Sequence, residues 1–186
     1  MNSSHESVEQ TLGCRPGSLR EKAFQTLLKN RTYHGGILAH GSGVIKYGEN
    51  GRGVKSRWYP ETISKRFEAI YRKRERLSFL ETDGLEVMRR SANSRDTVFF
   101  IDPPYTAGGK NAGTRLYTHS EVNHEDLFRI VQSLAGDFIM TYDNTPEILG
   151  LAHAHGFQTR AIPMKNTHNA AMTELLVGRN LNWAQA

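Results

Sequence analysis

The stretch Thr97-Val98-Phe99-Phe100-Ile101-Asp102-Pro103-Pro104-Tyr105 decides how the second half of this chain is read. Its first five residues are a continuous apolar run rich in β-branched and aromatic side chains, the pattern of a strand buried on both faces of a parallel sheet. The run stops abruptly at Asp102. In an open α/β sheet, ligands bind beyond the carboxyl ends of the strands, which is where this strand delivers the next four residues. Two prolines donate no backbone hydrogen bonds, so the carbonyls beside them stay available as acceptors. An aspartate adds a second acceptor and a tyrosine a flat ring. That set suits an exocyclic amine lying against an aromatic face. The Asp102 carboxylate and the Pro103 carbonyl accept its N–H groups, its lone pair points outward, and Tyr105 stacks on the base. Asp-Pro is also common in plain turns. All four residues directly after a buried strand favour the functional reading.

Working downstream, Asn123 caps a helix through Leu127, Ile130, Val131 and Leu134, and residues 138–141 form the next strand. Thr145-Pro146 opens a further helix with Ile148, Leu149 and Leu151, ended by Gly156. Residues 157–163 and 174–178 are the last two strands. Strand–helix alternation with short connections predicts an α/β fold with a mostly parallel sheet.

Upstream the pattern is weaker. Residues 1–17 lack periodicity and are expected to be disordered. Ser18 and Glu21 form a capping box for a helix through Leu19, Ala23, Phe24, Leu27 and Leu28. Residues 35–53 are dense in glycine and read as a long loop, of the kind that is usually functional. Pro60 opens a basic helix with Ile63, Phe67 and Ile70 on one face. Residues 77–80 read as a short strand and residues 85–90 as a short helix. The expected division is a disordered segment 1–17, a basic, helical and glycine-rich region 18–76, and a catalytic portion 77–186.

Of the 186 residues, 38% are hydrophobic and 23% charged, with a net charge of +5. No apolar run approaches the roughly 20 residues that span a bilayer, so no membrane partner is expected. The first ten residues are polar and acidic, unlike a secretory signal. The single cysteine, Cys14, excludes an internal disulfide framework and a cysteine-based zinc site. The eight histidines show no metal spacing. These features lead to the expectation of a cytoplasmic protein without a metal. Residues 29–76 hold twelve Lys and Arg against four Glu, an excess larger than that of the whole chain. Such a footprint suits a polyanion, because each neutralised phosphate releases counterions; a solvated basic face is the plainer alternative. Lys46, Arg52, Lys55 and Arg57 are best placed for DNA, on a loop able to enter a groove, where phosphate contact is commoner than base reading.

These residues together resemble the Dam-like (D12 class) DNA adenine-N6 methyltransferases over roughly residues 23–183. Residues 99–105 look like the family's catalytic strand and Asp-Pro-Pro-Tyr motif. Leu28-Lys29-Asn30-Arg31-Thr32 resembles the Asn-Arg element before its DNA-recognition region. Phe79-Leu80-Glu81-Thr82-Asp83-Gly84 looks like the strand whose end approaches the adenine of S-adenosylmethionine. Residues 137–143 and 174–178 are similar to later strands of its sheet. The resemblance implies a Rossmann-like methyltransferase sheet with an inserted basic DNA-recognition region. It implies double-stranded DNA as partner, bound in part by Asn30 and Arg31, and S-adenosylmethionine as cofactor, bound by Asp83 and Asp102. Asp102, Pro103, Pro104 and Tyr105 would be catalytic, acting on a base flipped from the duplex. On the residues alone, Asn30 and Arg31 equally brace their helix, and Asp83 equally caps the helix before Leu85. Tyr117 is a candidate cover for the site, and Lys165-Asn166-Thr167-His168 a candidate DNA contact.

One family element has no counterpart. The Phe-x-Gly-x-Gly-like loop that cradles the methionine part of the cofactor is matched neither by Gly41-Ser42-Gly43 nor by Gly51-Arg52-Gly53. The sheet is therefore expected to lack its first strands and to leave the strand of Phe99 to Ile101 unpaired along one side. That points to a truncated or split methyltransferase, with a second chain supplying the missing loop. Two alternatives stand beside it: an inactive remnant or DNA-binding subunit, and an amine methyltransferase acting on RNA or protein.

Overall fold

A computed structural model describes residues 3–38, 42–48, 51–105, 119–165 and 171–184. Tyr117, Gly41 and the stretch Asn166-Thr167-His168 lie outside them. The chain divides into two compact units, Met1–Leu80 and Glu81–Ala186.

The first unit opens with α1 (Ser3–Gly13) and α2 (Leu19–Thr32). The helix α1 corrects the expectation of a disordered segment: Val8 is buried and packs with Leu28, Ile45 and Val54, with Leu12 beside them. Its single apolar stripe is too sparse to register as periodicity. The Gln25 amide fixes the connection by donating to the carbonyls of Thr11 and Cys14. At the start of α2, Ser18 accepts from the Glu21 amide, as the capping box requires, while the Glu21 carboxylate reaches one residue further back, to Gly17 N. The glycine-rich stretch carries local order, with a β-bridge between Tyr33 and Val44 and a 3-10 turn at Gly53–Arg57. Pro60 occupies the first turn of α3 (Pro60–Arg72). Of its expected apolar face only Ile63 is buried; Phe67 and Ile70 are exposed. Residues 77–80 form no strand, and Leu77, Phe79 and Leu80 are exposed. A strand needs a neighbour for its backbone groups, and none is paired here among the described residues.

The second unit is mixed α/β. It contains α4 (Gly84–Arg90), β1 (Val98–Ile101), α5 (His124–Ser133), β2 (Asp137–Asp143), α6 (Pro146–Ala154), β3 (Gln158–Lys165) and β4 (Ala171–Gly178). Asn123 and Thr145 cap α5 and α6 through their side-chain oxygens, accepting from Asp126 N and Ile148 N. The sheet order is β1-β2-β4-β3, with β1 parallel to β2 and β4 antiparallel to both its neighbours. Three strands therefore point one way and β4 is reversed between two of them, so the mostly parallel sheet expected is a mixed one. Two adjacent late strands joined directly must form a hairpin, since a parallel pair needs a crossover of a dozen or more residues. Gly136 permits the close approach that sets the β1–β2 register: a Cβ there would lie 2.1 Å from the Thr97 carbonyl oxygen.

One face of the sheet is covered. Phe99, Ile101, Phe138, Met140, Tyr142, Leu175 and Val177 pack against Met88 of α4, Leu127, Phe128, Ile130 and Val131 of α5, and Ile148 and Ala152 of α6. The alternate residues of β1 are open: Val98 is 76% exposed and Phe100 71%. The expectation that this strand is buried on both faces is thus met on one face only. β1 is also the outermost strand of the sheet among the described residues. No helix among the described residues is long and apolar enough to cross a membrane.

Candidate active site

The parallel register brings the site together. Ile101 is the last paired residue of β1 and lies opposite Met140. The next residues, Asp102 and Thr141, are therefore neighbours at the carboxyl ends of two strands. The Thr141 hydroxyl donates to Asp102 Oδ1 at 2.7 Å, and the Tyr105 phenol donates to the same oxygen at 2.9 Å. Pro103 and Pro104 span the turn between them and are half-buried. Asp102 is exposed, and among the described residues its second oxygen remains for an incoming donor.

The Tyr105 ring has a firm backing. It stacks on Tyr142, with centroids 6.2 Å apart and planes 26° apart. Tyr142 is fully buried, meets Phe128 in the core, and shares a 3.0 Å hydrogen bond between its phenol and His124 Nδ1 at the start of α5. Burial raises both phenols above the ordinary tyrosine range. For Tyr105 the bond from Thr141 opposes that rise, while the bond to Asp102 and its charge add to it. For Tyr142 the charges of Glu147 and Tyr105 add to it. Burial lowers the His124 imidazole, against the opposing charge of Glu147. The aromatic wall is thus neutral at physiological pH.

Three carboxylates surround the strand ends. Asp143 closes β2, is buried, and is paired in register with Glu174 of β4. Burial first, then the charges of Asp102 and Asp143, raise the Glu174 carboxyl above the usual range. Sequence reading missed Thr141, Tyr142, His124 and Glu174. The signal for the first two was available, because the end of the strand after a parallel crossover must lie beside the end of the strand before it. Glu174 is visible only once β4 is known to run backwards.

Asp83 takes up the capping role. Its Oδ1 accepts from Leu85 N at 2.7 Å and from Glu86 N at 3.2 Å, at the start of α4. In the first unit the six expected DNA residues separate into two groups. Lys46, Arg52 and Lys55 are exposed. Asn30, Arg31 and Arg57 are half-buried, and Asn30 and Arg57 brace the loop. The Asn30 amide donates to the Gly36 carbonyl and Arg57 to the Tyr33 carbonyl. Gly36 has φ +72°, and a Cβ there would touch both Asn30 and Arg57 at 3.0–3.2 Å. Arg31 Nε is buried without a hydrogen-bond partner among the described residues. A groove between α1 and α2, lined by Gln10, Cys14, Arg15, Arg20, Phe24 and Gln25, contains none of the expected site residues. Among the described residues no group of three or more His, Cys, Asp or Glu is arranged to hold a metal ion.

The arrangement offers an oriented acceptor beside an aromatic plate. Among the described residues β1 has one strand neighbour, β2. No family model matches the chain, and no curated protein matches it in sequence.

Proposed function

We propose that the chain is the base-holding part of a site-specific DNA adenine-N6 methyltransferase with a Rossmann-like sheet. The observation that carries this reading is the Asp102-Pro103-Pro104-Tyr105 turn at the carboxyl end of β1, with Asp102 exposed and Tyr105 seated on the buried Tyr142. S-adenosylmethionine would supply an electrophilic methyl group. Asp102 and the Pro103 carbonyl accept the two N–H groups of the adenine amine and so direct its lone pair outward. Tyr105 holds the ring, and a rigid aromatic backing reduces the entropy lost in holding it. Burial, with the charges of Asp102 and Asp143 added to it, raises the Glu174 carboxyl, and the negative charge gathered here favours a cationic donor. The exposed Lys46, Arg52 and Lys55 provide phosphate contacts to duplex DNA.

The incomplete form of the enzyme is favoured by a separate observation. Among the described residues β1 has an unpaired edge, and it exposes Val98 and Phe100, as a strand does when a further strand and covering layer come from elsewhere. The cofactor loop then belongs to that missing part, in a longer polypeptide or a second chain. Asp83, half-committed to its cap, and Asp102 are this chain's own contributions to the cofactor.

Two measurements test the reading. Digestion of treated DNA and RNA followed by nucleoside mass spectrometry is expected to show N6-methyladenine in DNA once a cofactor-binding partner is added. Its appearance only in RNA would remove the DNA assignment. Calorimetric titration of the chain alone with S-adenosylmethionine is expected to show no tight binding. Tight binding would replace the split form with an autonomous enzyme.

A further inference from the structure

We propose that Thr141 is a positioning residue that sets the orientation of the Asp102 carboxylate and thereby the selectivity for a base carrying an exocyclic amine. The inference rests on the reading of Asp102 as the amine acceptor, and it concerns a residue outside the Asp-Pro-Pro-Tyr turn.

A carboxylate on an exposed turn rotates about its side-chain torsions and meets water. Here it is held from two sides at one oxygen. The Tyr105 phenol comes from three residues along the same turn, and the Thr141 hydroxyl comes from the neighbouring strand, 39 residues away. The second bond ties the Asp102 carboxylate itself to the sheet. Its donor is placed by the backbone register: Met140 is locked opposite Ile101, so Thr141 faces Asp102 without any search. Thr141 is itself paired with Leu176 on the other side. Threonine suits the place because its β-branch favours a strand and restricts χ1, while its hydroxyl carries a single proton to give. That proton is directed at Oδ1, and among the described residues Oδ2 keeps its lone pairs for the ligand. A ligand that donates an N–H completes the carboxylate's bonding; one that lacks it leaves the carboxylate desolvated and unpaired.

The test compares adenosine with purine riboside, which has the same ring and sugar but no amine, by following the Tyr105 ring resonances of the full chain during titration. The wild type is expected to prefer adenosine by about tenfold or more. Thr141→Val and Thr141→Ala are expected to bring the preference below about threefold, and Thr141→Ser, which keeps the hydroxyl, to restore it. Two hydroxyl-less variants are used so that a folding defect in one does not decide the matter. A wild-type preference that survives in a folded Thr141→Val or Thr141→Ala overturns the role of Thr141 alone. Equal binding of both nucleosides by the wild type overturns the amine-acceptor reading, and Thr141's role with it. Failure of Thr141→Ser to restore the preference also overturns the proposal, because the hydroxyl would then not be the active element.

Discussion

The two faces of the sheet in the second unit are made by the same four strands and put to different uses. On the closed face, register partners Phe99 and Phe138, Ile101 and Met140, and Tyr142 and Leu175 lie under α4, α5 and α6. On the open face, Val98 and Phe100 of β1 and Met164 and Met172 of the hairpin are exposed. Asp102, Thr141, Asp143 and Glu174 continue the open face towards the strand ends. A strand that has one wet side normally alternates apolar with polar residues. β1 is apolar at every position, so its sequence is composed for burial that the described residues of the second unit do not provide. Stability lives on the closed face, and the proposed chemistry lives on the open one.

The largest effect that separates them is expected at Asp102. In a complemented enzyme, Asp102→Ala abolishes methyl transfer, while affinity for duplex DNA stays within about twofold because phosphate contacts dominate binding. Stability is expected to fall by only about 1–2 kcal/mol, the scale of the two hydrogen bonds that an exposed Asp102 accepts from Tyr105 and Thr141. Methylation by that variant at the wild-type rate would dissolve the assignment of chemistry to the open face. The next effect belongs to the closed face. Phe128 is fully buried among Tyr142, His155 and Phe157. Phe128→Ala is expected to cost about 3–5 kcal/mol, measured by urea unfolding, and a cost under about 1 kcal/mol would mean that the core is loosely packed.

Much of the closed face was legible in the sequence. The caps at Ser18, Asn123 and Thr145 and the proline starts at Pro60 and Pro146 are local signals, set by unsatisfied amides at helix starts, and each helix begins where they place it. The position of Asp102 at a strand end was legible for the same reason. The reversal of β4 was not, because direction is decided by pairing across the sheet. The network of Thr141, Tyr105 and Asp102 was legible only in part: the parallel crossover puts the two strand ends side by side, but the exact facing of Thr141 and Asp102 is set by the β1–β2 register. In the first unit, α1 was missed because its few apolar contacts come from Leu28, Ile45 and Val54, remote in sequence. The strand expected at residues 77–80 failed because apolar composition without a pairing partner does not make a strand.

A smaller effect probes the open face directly. Phe100→Thr puts another good strand former at this position and removes the exposed ring. The chain alone is expected to unfold within about 1–2 °C of wild type, and to lose affinity for the fragment or partner that completes the sheet. Sedimentation of the mixed components reads the second outcome. Unchanged association would place the missing layer elsewhere than on β1.

The smallest effect is electrostatic and sits where the open face meets the site. Burial and the charges of Asp102 and Asp143 hold the Glu174 carboxyl above its usual range. A carboxyl whose folded value is raised binds its proton more tightly when folded. Its contribution to stability is therefore full below the ordinary carboxylate range and is lost as pH rises through the raised value. At neutral pH the charged Glu174 is a net liability, so Glu174→Gln is expected to raise the melting temperature by about 1–2 °C at pH 7. That gain should vanish near pH 4, where wild-type Glu174 carries its proton. A gain that persists unchanged at pH 4 would assign the benefit to packing. A loss at pH 7 would mean that the Glu174 charge is balanced in the folded protein, and that this corner of the open face is less receptive to a cation than its three carboxylates imply.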